Sequence, residues 1–425
     1  MSPRVDAAVR RLVLPGLRAN SIGAWFTLAA VAAVLLSRLL LLPDGPWEQD
    51  EALFAAGVLD FDITRHRPHP PGFPGWIGIG KLLLPVFRDP MLALQVASAV
   101  GSTAMFWALA RLLDRLLPGG RATLLAAAFT MSPLVWIHSG RAFSTTPAVA
   151  CGVLAMLAWR GGPRAHLWAW ALLALAALIR PQLLPELVVL SIAALASDGP
   201  SRRLKLGGLV LAFTLGLLGL SLAFATNADA VAQAFVDHLG RHRSGLDTTT
   251  AWAELGVVRG LGHPAIAAAL AGLAAAGLWR AIRIDRRQGA WLAGLIGVTA
   301  WMILRQHHPG FPRYAVALLA ACLPALAWGI ESLSRRLGML LVFGLTILGA
   351  VSSLGPLLSM HSAPLPVVAA ARIAAADPDA AALAYSHGVF SFSRLEAERA
   401  GLAAFDVTAV KDMPSRCLLY TSDAA

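Results

Sequence analysis

Apolar residues run along this chain in long blocks rather than in alternation. The blocks fall at about 21–42, 73–87, 90–110, 121–139, 143–159, 166–179, 182–197, 206–226, 263–280, 289–304, 314–332 and 338–358, with short arginine-bearing loops between them. A stretch of about 20 apolar residues is what a helix needs to cross a bilayer. In lipid only a structure that pairs its own backbone groups is stable, so blocks of this kind are helices. The pattern therefore predicts an all-α polytopic membrane protein.

Alternation of loops tests how many blocks cross. Cytoplasmic loops carry the excess of Lys and Arg, and each crossing changes the face on which the next loop emerges. With the N-terminus inside and all twelve blocks spanning, Arg111/Arg115/Arg121, Arg160/Arg164, Arg202/Arg203/Lys205, Arg280/Arg283/Arg286/Arg287 and Arg335/Arg336 all fall on the outer face. Removing one early crossing moves all five loops inside. The candidate for removal is 73–87, which is only about 15 residues long, contains Lys81 and Pro85, and follows a proline-rich stretch. The expected architecture is thus about 11 transmembrane helices, with a non-spanning helix in a large first extracytoplasmic loop, 43–89. Eighteen of the 35 Lys and Arg residues then lie inside, beginning with Arg4, Arg10, Arg11 and Arg18 of a cytoplasmic segment 1–20. The membrane domain is expected to run over 21–360.

From His361 the pattern changes. "PVVAAARIAAADPDAAALAYSHGVF" predicts a helix, a turn at Asp377-Pro378 and a strand, the start of a small soluble α/β domain over 361–415 on the extracytoplasmic side. The last residues, "RCLLYTSDAA" (416–425), read as translated sequencing-adapter sequence at the end of a truncated gene, and the fold expectation leaves them out.

Composition sharpens this picture in three ways. A chain of 425 residues that is 57% hydrophobic and 14% charged is apolar throughout, with a mean hydropathy of +0.66. The net charge of +11 would suit nucleic acid, but the arginines are dispersed in short loops and form no single basic face. They fit the headgroup layer instead. Cys151, Cys322 and Cys417 are far apart, with no metal or redox spacing. The first block has no small-residue cleavage site and is too long for a signal peptide, so a retained first helix is expected.

Few ionisable groups remain to do chemistry. "WEQDEALFAAGVLDFD" (47–62) opens with acids and continues as a helical stretch. Adjacent helical residues point about 100° apart, so of Asp50 and Glu51 one is central and the other supporting; an N-capping acid cluster is the alternative. "RHRPHPPGFPGW" (65–76) and "RQHHPGFPRYAV" (305–316) each set His and Arg beside a Pro-Gly-Phe-Pro turn. His69 before its prolines suits a fixed, extended turn as well as a site. His307 and His308, between Arg305 and Arg313, lack the i,i+4 spacing of a helical zinc pair, and with Tyr314 they also suit interfacial anchoring. In the 11-helix arrangement Asp50, Glu51, His69, Arg141, Arg180, Arg305, His307, His308 and Arg313 share the extracytoplasmic face. Arginine forks suit a phosphate, a carboxylate can take a proton from a hydroxyl, and an apolar slot between helices suits a lipid tail. Together they describe transfer from a lipid-phosphate donor to a hydroxyl or amine.

"DEALFA", "PHPPGFPGWIGIGKLL", "SPLVWIHSGRAFSTTPAVACGVLAM" (132–156) and "FPRYAVALLAACLPALAW" (311–328) resemble motifs of the GT-C superfamily of membrane glycosyltransferases. The likeness is strongest to the branch of protein O-mannosyltransferases and lipid A aminoarabinose transferases, over about 21–360. The resemblance implies a polyprenyl-phosphate sugar donor, a multi-pass protein of the inner (plasma) membrane, an extracytoplasmic site facing a protein, lipid or glycan acceptor, and inversion at the anomeric carbon. It implies Asp50 as general base, Glu51 supporting it or binding a metal, His69 lining the acceptor or donor side, and Arg313 with Tyr314 near the donor phosphate. A divalent metal is permitted, with Glu51 and His69 as candidate ligands, and not required. One departure stands out: many relatives carry an Asp a few residues after the Ser-Pro…Arg segment, where this chain has Ser144, Thr145 and Thr146. The rival readings are a lipid-linked sugar flippase or transporter, and a GT-C oligosaccharide polymerase or ligase. Transporters place polar groups at the midplane between corresponding broken helices, whereas here the ionisable groups gather at one surface. Acceptor choice is expected to lie with the loop 227–262 and the C-terminal domain.

Overall fold

In the computed structural model the described residues are 22–118, 120–161, 163–196, 205–206, 208–213, 216, 229–233, 236, 264–306, 312–376, 382–385, 395–397, 400–406 and 418–420. They are overwhelmingly helical. In chain order the helices used below are α1 (Ile22–Leu39), α2 (Gln49–Leu59), α3 (Pro74–Phe87), α4 (Pro90–Leu113), α5 (Arg121–Thr130), α6 (Pro133–Ser139), α7 (Thr145–Ala158), α8 (Pro163–Ile179), α9 (Leu184–Ala196), α10 (Pro264–Ile284), α11 (Arg286–Gln306), α12 (Ala315–Glu331), α13 (Arg335–Ser362) and α14 (Pro366–Ala375).

Helix α4 is the hub. Asp89 caps it by accepting the Leu92 N–H at 2.9 Å, and Pro90 stands at its first position, where a missing N–H costs nothing. Its Met91, Leu94, Met105, Phe106 and Leu109 are buried, and it packs against α1, α2, α3, α5, α6 and α7. Large apolar side chains also point outward, among them Trp25, Leu82, Leu340 and Val351. A chain surrounded by lipid is expected to be apolar on both sides of its helices. By length and composition, α4, α10 and the run Arg335–Ala375 are able to cross a membrane, and α5 with α6 adds a fourth if that bent pair spans together. α1, α3, α7, α8, α9 and α12 are shorter apolar helices, α3 having 14 residues.

The block 121–139, expected as one span, is broken. Helices α5 and α6 meet at 68°. Pro133 begins α6 and holds Ser132 in an extended conformation (φ −61°, ψ 146°). The break frees two carbonyls that must find other donors. Arg38 of α1, only 1% exposed, donates to the Thr130 carbonyl in a very close contact, and Ser353 of α13 donates to the Met131 carbonyl at 3.0 Å. Elsewhere small residues bring helices together: a Cβ on Gly277 of α10 would collide with the Ala325 carbonyl of α12, and one on Gly329 of α12 with the Leu273 carbonyl of α10. Close backbone approach of this kind is how helices associate where no hydrophobic force distinguishes neighbour from lipid.

The end of the membrane helices leans on the first loop. His361 Nδ1 is 2.8 Å from the Leu42 carbonyl, the Asp44 N–H donates to the Met360 carbonyl at 2.9 Å, and Arg372 of α14 pairs with Asp44 at 2.9 Å and Glu396 at 3.5 Å. Beyond α14, three short strands, β1 (Ala382–Tyr385), β2 (Ala403–Asp406) and β3 (Leu418–Tyr420), form a parallel sheet in the order β2-β1-β3. β3 falls in 416–425, the residues the sequence reading left out of the fold; its Leu-Leu-Tyr run pairs with an open edge of β1.

Candidate functional site

The acids of the first loop are organised by a helix start. Glu48 precedes α2 in an extended conformation (φ −137°, ψ 152°). Glu51 reaches back, so that its Oε2 accepts the N–H of Trp47 at 2.7 Å and of Glu48 at 2.9 Å. A carboxylate there satisfies N–H groups the helix leaves open and faces the positive end of its dipole. Glu51 is fully buried, and a buried carboxylate requires a cation.

Arg141, in the turn between α6 and α7, supplies that cation. Its Nη2 and Nε lie 2.7 and 3.2 Å from Glu51 Oε2, its Nη1 lies 2.9 Å from Glu48 Oε1, and the Ala142 N–H donates to Glu51 Oε1 at 3.1 Å. Glu51 thus ties the first loop to the α6–α7 turn. Arg313, in the 3-10 turn Pro312–Tyr314 ahead of α12, forks across the other two acids: Nη1 contacts Glu48 Oε2 and Nη2 contacts Asp50 Oδ2, both very closely. Burial alone would lower the pKa of both arginines. Glu51 and Glu48 outweigh it at Arg141, and Asp50 and Glu48 at Arg313, so both rise above the ordinary arginine value. The Phe143 ring lies 4.6 Å from the Arg141 guanidinium and 4.5 Å from that of Arg313, a stacking geometry that favours cations at both contacts.

Asp50 is the meeting point of the two Pro-Gly-Phe-Pro stretches. Its Oδ2 is held by Arg313 from the second, and its Oδ1 lies 3.7 Å from His69 Nδ1 of the first. The His69 ring packs 5.5 Å from Phe54 and 5.0 Å from Phe73, centroid to centroid. Burial pushes the His69 pKa down; Asp50 opposes this, and Arg313, His66 and Arg180 add to it. His69 is therefore neutral at pH 7. The side chain of Asp50 keeps 26% of its surface exposed.

Arg180, between α8 and α9, differs from the other two arginines. It is 3% exposed, donates from Nη1 to Ser144 Oγ at 3.1 Å and stacks 4.9 Å from the Tyr314 ring. No carboxylate among the described residues forms an ion pair with it. Burial lowers its pKa, Tyr314 and Asp50 oppose that, and Arg313 adds to it; a guanidinium nevertheless stays protonated.

Asp50, Glu51, His69, Arg141, Arg180, Arg313 and Tyr314 are therefore one connected cluster. Arg305 lies in the last turn of α11 with its side chain outside the described residues, and His307 and His308 lie outside them altogether. Glu48, Phe143 and Ser144 belong to the cluster and were not singled out as site residues. For Glu48 a signal existed: acids three apart before an apolar run are the spacing of a capping box. Among the described residues no three His, Cys, Asp or Glu side chains are placed to hold a metal ion, and the Glu51 oxygens are taken up by Arg141 and backbone N–H groups.

Solved structures share this fold. ArnT from Cupriavidus metallidurans bound to undecaprenyl phosphate matches with a TM-score of 0.63 at 15% identity, over 95% of this chain and 91% of that one. The same protein in the apo state matches with a TM-score of 0.60 at 16% identity, over 92% and 90%. At such identities the likeness is one of fold alone. No family model matches the chain, and no curated protein sequence does.

Proposed function

We propose that the chain is an integral membrane glycosyltransferase that moves a sugar from a polyprenyl-phosphate donor to an extracytoplasmic acceptor with inversion. The observation that carries this reading is Arg180: a guanidinium 3% exposed, with no carboxylate partner among the described residues, beside a carboxylate that is still accessible. Asp50 and Glu186 act on that charge only from beyond ion-pair distance; a buried charge without a close counter-ion is costly, and a guanidinium fork is suited to a phosphate. Ser144, Thr145 and Thr146 occupy the stretch where many members of the resembled family carry an acid, and the Ser144 hydroxyl that Arg180 meets there brings no charge of its own.

A cavity nearby fits a lipid tail. It measures about 460 Å³ and is lined almost wholly by apolar groups of α5, α10, α12 and α13, with Ser132 and Pro133 in its wall. Helix α6 runs from Pro133 to Ser139, about 10 Å at 1.5 Å per residue, and Arg141 follows at its far end. A polyprenyl chain in the cavity would therefore have its phosphate within reach of the arginine cluster. The neighbour crystallised with undecaprenyl phosphate has the same fold, which favours this choice of donor.

In this reading Asp50 takes the proton of the acceptor hydroxyl or amine as that atom attacks the anomeric carbon. The bond from that carbon to the phosphate oxygen breaks on the opposite face, and the electron pair leaves with the polyprenyl phosphate. Arg180 and Arg313 offset the charge that develops there. One displacement inverts the centre. Glu51 and Arg141 hold the loop that presents Asp50, and His69 limits how that carboxylate can turn. About 11 crossings, an N-terminus in the cytoplasm, residues 21–360 as the transmembrane domain, and the sheet after α14 as the start of a soluble outer domain complete the proposal, in an inner (plasma) membrane setting.

The test is the identity of the lipid product. Reconstituted protein given a polyprenyl-phosphate sugar and acceptor-bearing membranes is expected to release free polyprenyl phosphate. An unaltered lipid that only changes leaflet would favour a flippase, and release of polyprenyl diphosphate from a diphosphate-linked donor would favour an oligosaccharide ligase.

A further inference from the structure

On the flank of Arg180 lies a second, small cavity, about 20 Å³, whose polar lining is Thr145, Arg180, Gln182, Glu186 and Tyr314. Three of these side chains carry a buried oxygen with no hydrogen-bond partner among the described residues: Thr145 Oγ1, Gln182 Oε1 and Glu186 Oε2. Thr145 is 1% and Glu186 7% exposed. One unsatisfied buried oxygen costs free energy, and three around one void mark a place prepared for a polar guest. The volume admits a single water or hydroxyl group, which needs roughly 10–15 Å³ of this measure. A hydroxyl has one proton and two lone pairs, so it can donate to the Gln182 or the Glu186 oxygen while accepting from Thr145 or Arg180.

The position of the void gives it a role. The same guanidinium that lines it interacts electrostatically with Asp50 and Arg313, so the void is one side chain away from the proposed reacting carboxylate. A sugar linked to a phosphate at Arg180 would lie beside this opening, with its ring hydroxyls as the groups able to enter.

We propose that this void is a specificity subsite that takes one ring hydroxyl of the donor sugar. The inference rests on the reading of Arg180 as the receptor of the donor phosphate. Thr145 and Gln182 select for the hydroxyl, and Glu186 fixes its orientation. A site built to hydrogen-bond a substrate hydroxyl discriminates strongly against the analogue that lacks it, because its own polar groups are then left unpaired. A site that merely traps a water would show no such preference.

The experiment compares polyprenyl-phosphate sugars that each lack one ring hydroxyl, using the full chain in proteoliposomes and reading kcat/KM. For one position the deoxy donor is expected to be worse than the parent sugar by on the order of 10²-fold or more. In Thr145→Val and in Gln182→Leu, each close to isosteric, that penalty is expected to shrink to less than about tenfold. The ratio of two donors on one protein cancels any loss of folded material. If each variant slows every donor by the same factor, the subsite is refuted while the transferase reading stands. If the wild-type protein releases polyprenyl phosphate from no donor, the transferase reading falls and the subsite with it.

Discussion

Glu51→Gln is the substitution that isolates how the site is held. The wild-type carboxylate accepts five N–H groups: Trp47, Glu48 and two from Arg141 on Oε2, and Ala142 on Oε1. Glutamine has one acceptor oxygen, so in either orientation its NH₂ faces a donor. The cheaper orientation turns the NH₂ toward Ala142 and keeps the oxygen for the other four, yet Arg141 loses a charge partner inside a buried site. Removing one member of a buried ion pair costs about 3–5 kcal/mol. Glu48 still contacts Arg141 at 2.9 Å, which puts the expectation at the low end, about 3 kcal/mol. Arg141→Met should cost a similar amount, because it strands the Glu51 carboxylate among backbone N–H groups. The double variant should cost about 2 kcal/mol less than the sum of the two, since neither charge is left alone. Reversible unfolding in mixed micelles, by titration with a denaturing detergent, measures all four corners of the cycle. A Glu51→Gln protein within 0.5 kcal/mol of wild type, or strictly additive singles, would refute the claim that this pair pins the first loop to the α6–α7 turn.

Other consequences follow from the same geometry. Arg180→Met removes a buried charge with no carboxylate partner, so it should stabilise the ligand-free protein against unfolding while lowering donor kcat/KM on the order of 10²-fold; destabilisation would mean that an anion already neutralises Arg180. The folded-state pKa of His69 is below its ordinary value of about 6.5, so the unfolded chain binds more protons below that pH. Its contribution to stability is complete above about pH 6.5 and is lost as the pH falls toward the folded-state pKa. His69→Gln should flatten that limb of the stability profile, and an unchanged limb would assign it to another group. Gly45 has φ +99°, and a Cβ there would lie 2.8 Å from Arg372 Nη2, so Gly45→Ala should cost about 1–2 kcal/mol. Arg372→Ala takes a cation from the half-exposed Asp44 and from Glu396, whose side chain is 7% exposed, and should cost about 1–3 kcal/mol; no loss in thermal denaturation from either substitution would contradict the docking of α14 on the first loop.

The helical blocks that fall on described residues, and the acid motif with His69, were legible in the sequence because apolar length and proline punctuation are local signals. The break inside 121–139 was less so: its residues are uniformly apolar, and only Ser132-Pro133 marks the point where helical hydrogen bonds fail. The donors that make the break tolerable, Arg38 and Ser353, lie more than ninety residues away along the chain. The same limit applies inside the site. That Asp50 and Glu51 divide their work could be argued from the 100° between neighbours, and Glu51 accordingly faces Arg141 while Asp50 faces Arg313 and His69. That Ser144 would be the partner of Arg180 is a fact of packing between α7 and the turn after α8, and no spacing encodes it.

The most direct test of the account is the rate of polyprenyl phosphate release by wild type, Asp50→Asn and Glu48→Gln, measured side by side in proteoliposomes with saturating donor and acceptor. Glu48 shares Arg313 with Asp50, so it controls for loss of that ion pair. The account predicts release by wild type and a fall on the order of 10²–10⁴-fold in Asp50→Asn, with Glu48→Gln retaining far more activity. Equal release by wild type and Asp50→Asn, or a greater loss in Glu48→Gln, would contradict it.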